Sequence, residues 1–173
     1  NKLDHKRFRI LYSGTLGFKH NPKYIERLAI DNPDIDFLIV GTGVGFEYLK
    51  NLPPLTNLIL KPLQPMACFS EVLGSADICL AVLEDDAGIF SVPSKVLSYL
   101  CAGKPILMHG PKENLASKII QTNQCGLVSS DEDYKSLNKN IEFLRDKQHA
   151  ETMAKNSRDY ALRNFSIKKI CTN

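Results

Sequence analysis

Residues 90–108 read Phe-Ser-Val-Pro-Ser-Lys-Val-Leu-Ser-Tyr-Leu-Cys-Ala-Gly-Lys-Pro-Ile-Leu-Met, which predicts a loop, a helix and a buried strand in that order. Proline suits the first turn of a helix and serine can cap its free amides, so Pro93 and Ser94 predict where the helix begins. Gly103 is typical of a helix C-terminus, where a left-handed residue is often needed. Pro105 then opens the apolar strand.

The start of this helix predicts an anion site. The first amides of a helix have no partner within the helix, and the helix dipole places partial positive charge beside them. Lys95 adds an ammonium group at the same place. We therefore expect a phosphate to bind there. The helix should pack on the sheet through one apolar face, formed by Val96, Leu97, Leu100 and Cys101.

The composition of the 173-residue chain is that of a globular domain, with 43% hydrophobic and 24% charged residues. This length suits one domain with a sizeable core. No apolar run is long enough to cross a bilayer and the N-terminus does not resemble a signal peptide, so we expect a cytoplasmic protein. The formal charge of +3 is too small to indicate nucleic acid as a partner.

The five cysteines show neither a Cys-x-x-Cys pair nor a metal-type spacing. Four of them lie within apolar segments. We therefore interpret them as reduced thiols of the core, in preference to disulfides or a zinc site. They are Cys68, Cys79, Cys101, Cys125 and Cys171.

Short apolar segments alternate with helical patterns along the chain and predict about six strands. We expect strands at residues 7–13, 35–40, 57–61, 77–83, at Ile106 and at 126–128, and a largely helical tail. This alternation predicts an α/β fold with a three-layer, doubly wound parallel sheet of the Rossmann-like kind. Ligands of such sheets bind beyond the carboxyl ends of the strands, so the loops after the strands are the candidates for a site.

The glycine-rich segment Gly41-Thr-Gly-Val-Gly45 follows the second predicted strand. Its spacing is G-x-G-x-G, whereas a dinucleotide fingerprint needs G-x-G-x-x-G. Lys61 also stands where a site for NAD would need an acid. We therefore predict a tight turn, or the floor of a ligand site, at this segment.

A second glycine loop, Gly14-Thr-Leu-Gly17, follows the first predicted strand and is joined by Lys19. Glycines let the backbone approach a ligand closely, and a lysine supplies a point charge to a phosphate. Ser94 and Lys95 belong to the loop and helix after another strand, so both loops should meet at one edge of the sheet. Their convergence predicts a diphosphate site.

Other polar residues near predicted strand ends are weaker candidates. Glu84, Asp85 and Asp86 precede the central helix and could reach the hydroxyl groups of a sugar. His20 and His109 lie where a general base would be sought, but no second ionisable partner is apparent, so we assign neither of them to catalysis. The sequence contains no nucleophile elbow, Gly-Lys-Ser/Thr phosphate loop or His-Glu-x-x-His motif.

Taken together, these segments resemble the C-terminal half of a GT-B glycosyltransferase of the group 1 type, which uses a nucleotide-activated sugar and retains its anomeric configuration. The resemblance covers most of the chain, through Ile10–Gly17, Phe37–Gly43, Ala76–Val82 and Pro93–Pro105. Leu60–Gln64 and Val92–Lys95 look most like bacterial enzymes that build O-antigen, capsule and colanic acid, including fucosyl and N-acetylfucosaminyl transferases.

The resemblance implies that this half of the enzyme holds the donor nucleotide. The diphosphate would be bound by Gly14, Thr15, Lys19, Pro93, Ser94 and Lys95. We expect no catalytic residue in this half. We also expect no metal or other cofactor, because fixed cations and helix amides would stabilise the charge of the leaving diphosphate.

The base, the ribose and the sugar would bind beside the diphosphate. By resemblance, Leu63 and Gln64 would border the base. The family's two glutamates, eight positions apart, fall here on Phe90 and Ser98, so Ser98 would offer the ribose a hydroxyl contact. The expected sugar contacts are Glu84, Asp85, Asp86 and Ser91.

The implied function is transfer of a sugar from a UDP- or GDP-sugar to a saccharide or lipid-linked acceptor in the synthesis of bacterial surface polysaccharide. We expect residues 1–173 to form a single nucleotide-sugar-binding domain, inactive alone, with the acceptor-binding N-terminal domain absent from this chain. The full-length protein would then work in the cytoplasm, at the inner face of the membrane. Two alternatives stay open, namely half of a non-hydrolysing nucleotide-sugar epimerase and a non-catalytic α/β interaction module.

Overall fold

The computed structural model describes residues 7–17, 20–84, 94–130 and 134–165. In these ranges one sheet of six strands lies between two layers of helices. The strands are β1 (Arg9–Thr15), β2 (Asp36–Thr42), β3 (Leu58–Pro62), β4 (Ile78–Val82), β5 (Ile106–His109) and β6 (Gly126–Ser129). The helices are α1 (Pro22–Asp31), α2 (Val44–Lys50), α3 (Phe69–Gly74), α4 (Ser94–Cys101), α5 (Leu115–Thr122), α6 (Tyr134–Arg145) and α7 (Lys147–Asn164).

The strand order is β3-β2-β1-β4-β5-β6, and every neighbouring pair is parallel. This confirms the predicted doubly wound α/β fold. The order reverses between β1 and β4, where such sheets open a crevice for a ligand. The two strands pair only through Ile10 with Ile78 and Leu11 with Cys79. Their ladder therefore ends well before the carboxyl end of β1.

Two hydrophobic cores cover the two faces of the sheet. Alternate residues of one strand contribute to different cores, as Phe37 and Ile39 do on one face and Leu38 and Val40 on the other. Helices α1, α2 and α6 pack on the first face, and α3, α4, α5 and α7 pack on the second. A parallel sheet buried on both faces needs nearly continuous apolar strands, which is why the strands were recognisable in the sequence.

The central helix, α4, differs in detail from its prediction. Gly103 ends its turn with a φ of +62°, as expected. The buried residues of α4, however, are Val96, Tyr99 and Leu100, whereas Leu97 is only half-buried and Cys101 is exposed. The predicted apolar face was therefore wrong by part of a turn. The reason is that Tyr99 belongs to the buried stripe, with its hydroxyl bonded inside the fold.

The predictions for the cysteines are partly wrong as well. Cys79 and Cys125 are buried free thiols, as expected. Cys68 is half-buried in a 3-10 turn at Met66–Cys68, and Cys101 is exposed at the end of α4. Cys171 lies outside the described residues. An apolar neighbourhood in the sequence thus did not establish burial of the thiol.

Candidate functional site

A cavity of about 450 Å³ opens at the carboxyl edge of the sheet, beside the end of β1 and the start of α4. This volume is in the range of small-molecule sites. The cavity brings together residues from three segments that the sequence assigned to a donor nucleotide. These are Gly14, Thr15, Leu63, Gln64, Ser94, Lys95 and Ser98.

Glu84 is the other predicted site residue that the structure describes. It lines a different cavity, beside Gly17, Lys23 and Tyr48. The remaining predicted residues, Lys19, Asp85, Asp86, Phe90, Ser91 and Pro93, lie outside the described residues.

Tyr99 places the start of α4 against the end of β1. The backbone N–H of Ser13 donates to the Tyr99 hydroxyl at 3.0 Å, and this hydroxyl donates to the carbonyl of Leu80 at 3.3 Å. The phenol thus bridges β1 and β4 beyond the point where their ladder stops. A fully buried hydroxyl with two backbone partners is a specific anchor, since either backbone group would otherwise be buried without a hydrogen bond.

Gly14 lies near the end of β1, beside the start of α4. Its φ is +126°, a conformation that residues with a side chain rarely adopt. A Cβ atom at this position would lie 3.8 Å from Cε of Lys95. The backbone of Gly14 and the side chain of Lys95 are therefore neighbours in the lining of the cavity. The sequence predicted that the two loops that contain these residues would meet at one edge of the sheet.

Lys95 is a half-buried cation in this cavity. Its Nζ atom lies 4.9 Å from the centroid of the Tyr12 ring and 3.3 Å from Nε2 of His20. Burial lowers the pKa of Lys95 to about 8, because the charged form loses hydration. At pH 7 about nine in ten of these side chains still carry a proton. Within the described ranges, no carboxylate forms an ion pair with Lys95.

His20 is the functional candidate that sequence reasoning missed. The sequence offered it no ionisable partner, whereas the fold brings it to Lys95, from which it is 75 positions distant. Its Nδ1 atom accepts a hydrogen bond of 3.1 Å from the N–H of Gly17. His109, in contrast, is fully buried under the ring of Tyr24, with 4.0 Å between the ring centroids.

The glycine segment at residues 41–45 supports the β1–α1 loop. Leu16 donates its N–H to the carbonyl of Thr42 at 2.8 Å and accepts a bond of 2.9 Å from the N–H of Gly45. A Cβ atom on Gly45 would lie only 2.7 Å from Cγ of Leu16. The space beside these glycines is therefore filled by protein. Of the two predicted arrangements, a tight turn or the floor of a ligand site, the segment forms the tight turn. Helix α2 begins within the segment, at Val44.

The predicted base and ribose neighbours lie on two sides of the cavity. Ser94 and Ser98 are four positions apart in α4, so both hydroxyl groups lie on one face of the helix. Leu63, which is 50% exposed, lines the same cavity. Gln64 beside it donates its side-chain amide to the carbonyl of Pro62 at 2.8 Å. An apolar and an amide side chain thus share the cavity with the two hydroxyl groups of α4.

A larger groove of about 660 Å³ adjoins the cavity between α3 and α4. Its lining is mostly apolar, with Phe69 and Leu73 on one side and Leu97 on the other. The ammonium group of Lys104 at this groove donates to the carbonyl of Ala76 at 2.6 Å. The ammonium group of the larger groove is therefore already bonded to the backbone, whereas the smaller cavity contains Lys95 and the start of α4. We take the smaller cavity as the candidate site.

Neither a metal site nor a membrane-spanning helix is found in the described ranges. No three His, Cys, Asp or Glu side chains among the described residues are grouped so that they could hold a metal ion. None of the described helices combines the length and apolarity that a membrane span requires.

Comparison with known proteins identifies the fold. No protein-family model and no curated protein matches the sequence. The C-terminal domain of a group 1 family glycosyl transferase, LpcC from Francisella tularensis, matches with a TM-score of 0.65 and 17% identity, covering 92% of this chain and 87% of that one. WaaG, a glycosyltransferase involved in lipopolysaccharide biosynthesis, matches with a TM-score of 0.67 and 19% identity. TarM matches with a TM-score of 0.71 and 13% identity.

These matches cover nearly all of this chain but less than half of WaaG and of TarM. The chain is covered over 91% by WaaG and over 96% by TarM, but it spans only 43% of WaaG and 35% of TarM. At these identities the similarity shows the fold. The chain has the Rossmann-like fold of the C-terminal domain of GT-B glycosyltransferases.

Proposed function

We propose that this chain is the donor-binding domain of a glycosyltransferase that transfers a sugar from a UDP- or GDP-sugar to a saccharide or lipid-linked acceptor. The observation that carries the proposal is the cavity beside the end of β1 and the start of α4. It joins Gly14, Thr15, Ser94 and Lys95, which the sequence assigned to one diphosphate from two distant segments. The similarity of fold to glycosyltransferases supports the same assignment.

The charge of the cavity suits a diphosphate. Lys95 is half-buried without a carboxylate partner among the described residues, so an anionic ligand would supply the missing negative charge. The free amides of the first turn of α4 are directed outward at its N-terminus, where anions are favoured. Ser94, the first residue of this helix, adds a hydroxyl that can donate to a phosphate oxygen.

The proposed chemistry is electrostatic. As the bond between the anomeric carbon and the diphosphate oxygen breaks, negative charge grows on the departing diphosphate. Lys95 and the amides at the start of α4 would stabilise that charge where it develops, and one such donor is typically worth about 3 kcal/mol. We propose that these groups, with Lys19, make a metal ion unnecessary, and that the reaction retains the anomeric configuration.

The remaining parts of the donor have proposed places too. Ser98, one turn after Ser94, would contact the ribose, and Leu63 and Gln64 would border the base. Asp85, Asp86 and Ser91 stay predicted sugar contacts. Glu84, which lines a second cavity, stays a predicted sugar contact as well.

The biological setting is proposed from the sequence segments 60–64 and 92–95, which resemble enzymes of bacterial surface polysaccharide synthesis, the fucosyl and N-acetylfucosaminyl transferases among them. WaaG, which acts in lipopolysaccharide biosynthesis, has the same fold. We propose that a separate acceptor-binding domain completes the enzyme, that this domain alone is inactive, and that the whole protein works in the cytoplasm at the inner face of the membrane.

Titration calorimetry of the 173-residue chain with UDP and with GDP tests the proposal. We expect one of them to bind, and Lys95→Ala to weaken that binding at least about tenfold, since a charge-assisted bond is lost. Lys50→Ala, on the exposed face of α2, is the matched control. Equal affinity of Lys95→Ala and wild type would remove Lys95 from the site.

The alternatives have their own outcomes. If the chain binds neither nucleotide, the non-catalytic interaction module is favoured. Product analysis of the full-length enzyme separates the other alternative, because an epimerase would yield an isomerised donor where a transferase yields an extended acceptor.

A further inference from the structure

The side chains of His20 and Lys95 converge on the same point of the cavity. Nε2 of His20 lies 3.3 Å from Nζ of Lys95, and both residues line the cavity with Gly14 and Thr15. The two residues come from different elements, one just before α1 and the other in the first turn of α4. The fold therefore maintains their contact, and no local sequence pattern requires it.

The hydrogen bond at the other ring nitrogen defines what Nε2 can do. Nδ1 of His20 accepts the N–H of Gly17 at 3.1 Å. In a neutral imidazole one nitrogen accepts and the other carries the proton, so this bond assigns the proton to Nε2. Nε2–H is then a donor directed at Lys95. A protonated lysine offers only donors as well, so the two groups suit a shared acceptor better than they suit each other.

We propose that His20 is a further binding residue for the donor diphosphate and that it acts as a pair with Lys95. The Nε2–H group of His20 and the ammonium group of Lys95 would donate to the same phosphate group. The inference rests on the proposed function, because it names a residue of that same site. It adds a neutral donor from the β1–α1 loop to the cation from α4.

The pair has a second consequence when the cavity holds no anion. The amine of Lys95 can then accept the hydrogen bond from Nε2–H of His20 once it has released its own proton. Burial favours that release, because it lowers the pKa of Lys95 to about 8. The other titratable group facing Lys95 in the described residues is Tyr12, whose pKa is raised by burial, so the phenol stays neutral. A bound diphosphate would return the proton to Lys95.

Two substitutions of His20 separate phosphate binding from loop support. His20→Asn retains an oxygen that can accept the N–H of Gly17 but has no donor at the position of Nε2. His20→Gln can reach that position with an N–H group but is a poorer acceptor for Gly17. Calorimetry with UDP and GDP should show His20→Asn binding about tenfold more weakly than wild type and His20→Gln closer to wild type.

Two outcomes would overturn the inference. Wild-type affinity in His20→Asn would remove His20 from the phosphate contacts, and weaker binding in His20→Gln than in His20→Asn would indicate loop support alone. Either result leaves the proposed function intact, provided that Lys95→Ala weakens binding. The proposed function itself fails if wild type binds neither nucleotide.

Proton uptake gives an independent readout that does not depend on variants of His20. Calorimetry in two buffers with different ionisation enthalpies counts the protons taken up on binding. With a pKa of about 8 in the free protein, wild type should take up about one proton at pH 9 and only about a tenth at pH 7. In Lys95→Arg the guanidinium stays charged, so this uptake should vanish. Absence of uptake by wild type at pH 9 would contradict the release of the Lys95 proton in the empty cavity and its return on binding.

Discussion

A cation lies at each end of strand β1, one of them fully buried and the other half-buried, and the two have opposite surroundings. At its amino end Arg9 is 1% exposed, and its Nη2 group donates to Asp36 at 3.1 Å. Its Nη1 group donates to the carbonyl of Ser75 at 3.4 Å. At the carboxyl end of β1, Lys95 faces an aromatic ring and an imidazole, and no carboxylate of the described residues pairs with it.

The difference teaches which cation supports the fold and which is available to a ligand. A buried cation with its own carboxylate is neutralised, so its removal is a matter of stability. A buried cation without one costs free energy in the empty protein and gains most when an anion arrives. By this criterion Arg9 supports the fold at the amino edge of the sheet, and the proposed anion site lies at the carboxyl edge, at Lys95.

The largest effect is expected at the amino end of β1, where Arg9 pairs with Asp36. Asp36→Ala leaves Arg9 buried without its carboxylate, and we expect the free energy of unfolding to fall by about 3–5 kcal/mol. Urea denaturation measures this change. The control is Glu47→Ala, which removes an exposed ion pair with Lys50 and should cost about 1 kcal/mol or less.

Two results would contradict the structural role of the amino edge. One is an Asp36→Ala variant that is no less stable than Glu47→Ala. The other is a folded Asp36→Ala variant whose affinity for nucleoside diphosphate differs from that of wild type. Arg9 lies at the opposite edge from the cavity, so its counter-ion should not influence binding there.

Most of the fold could be predicted because it depends on short-range patterns in the sequence. The strands are nearly continuous apolar segments, as Phe37–Val40 shows, and helices separate them. Right-handed crossovers then leave few topologies for the sheet. The meeting of Gly14 with Lys95 followed from the same argument, since carboxyl ends of parallel strands share one edge.

The rest depends on long-range contacts that no local pattern contains. The pairing of His20 with Lys95 and the bridge from Tyr99 to Ser13 join residues that are 75 and 86 positions apart. Tyr99 was left out of the predicted apolar face because tyrosine is compatible with either side of a helix. The position of Glu84 beside Gly17 and Tyr48 is a further long-range feature that no periodic pattern contains.

A smaller effect is expected at the junction between β1 and α4. Tyr99→Phe removes the hydroxyl that serves Ser13 and Leu80, so two buried backbone groups lose a partner. We expect the free energy of unfolding to fall by about 2 kcal/mol. Thermal and urea denaturation check this value, with Tyr160→Phe at a partly exposed position as the control. A change no greater than in the control would show that the bridge does not hold α4 in place.

The smallest effect concerns Lys95, at the carboxyl end of β1. Its sign is opposite, because we expect a substitution there to increase stability. Lys95→Met removes a cation that the empty fold buries without a carboxylate partner among the described residues, so we expect the variant to be more stable than wild type at pH 7. A shift of one pKa unit corresponds to about 1.4 kcal/mol. The pKa falls from 10.5 to about 8. Allowing for screening by solvent, we expect a gain of about 1–2 kcal/mol.

The pH dependence of this gain distinguishes charge burial from better packing of methionine. Below pH 8 both the folded and the unfolded wild type keep the proton on Lys95, so the full cost is present. Between pH 8 and 10.5 the folded wild type releases that proton while the unfolded chain keeps it, and wild type gains stability relative to the variant. The advantage of Lys95→Met should therefore shrink from pH 7 to pH 9.5 in urea denaturation. An advantage that is the same at both pH values would mean that Lys95 is not a destabilised cation, and the contrast with Arg9 would fail.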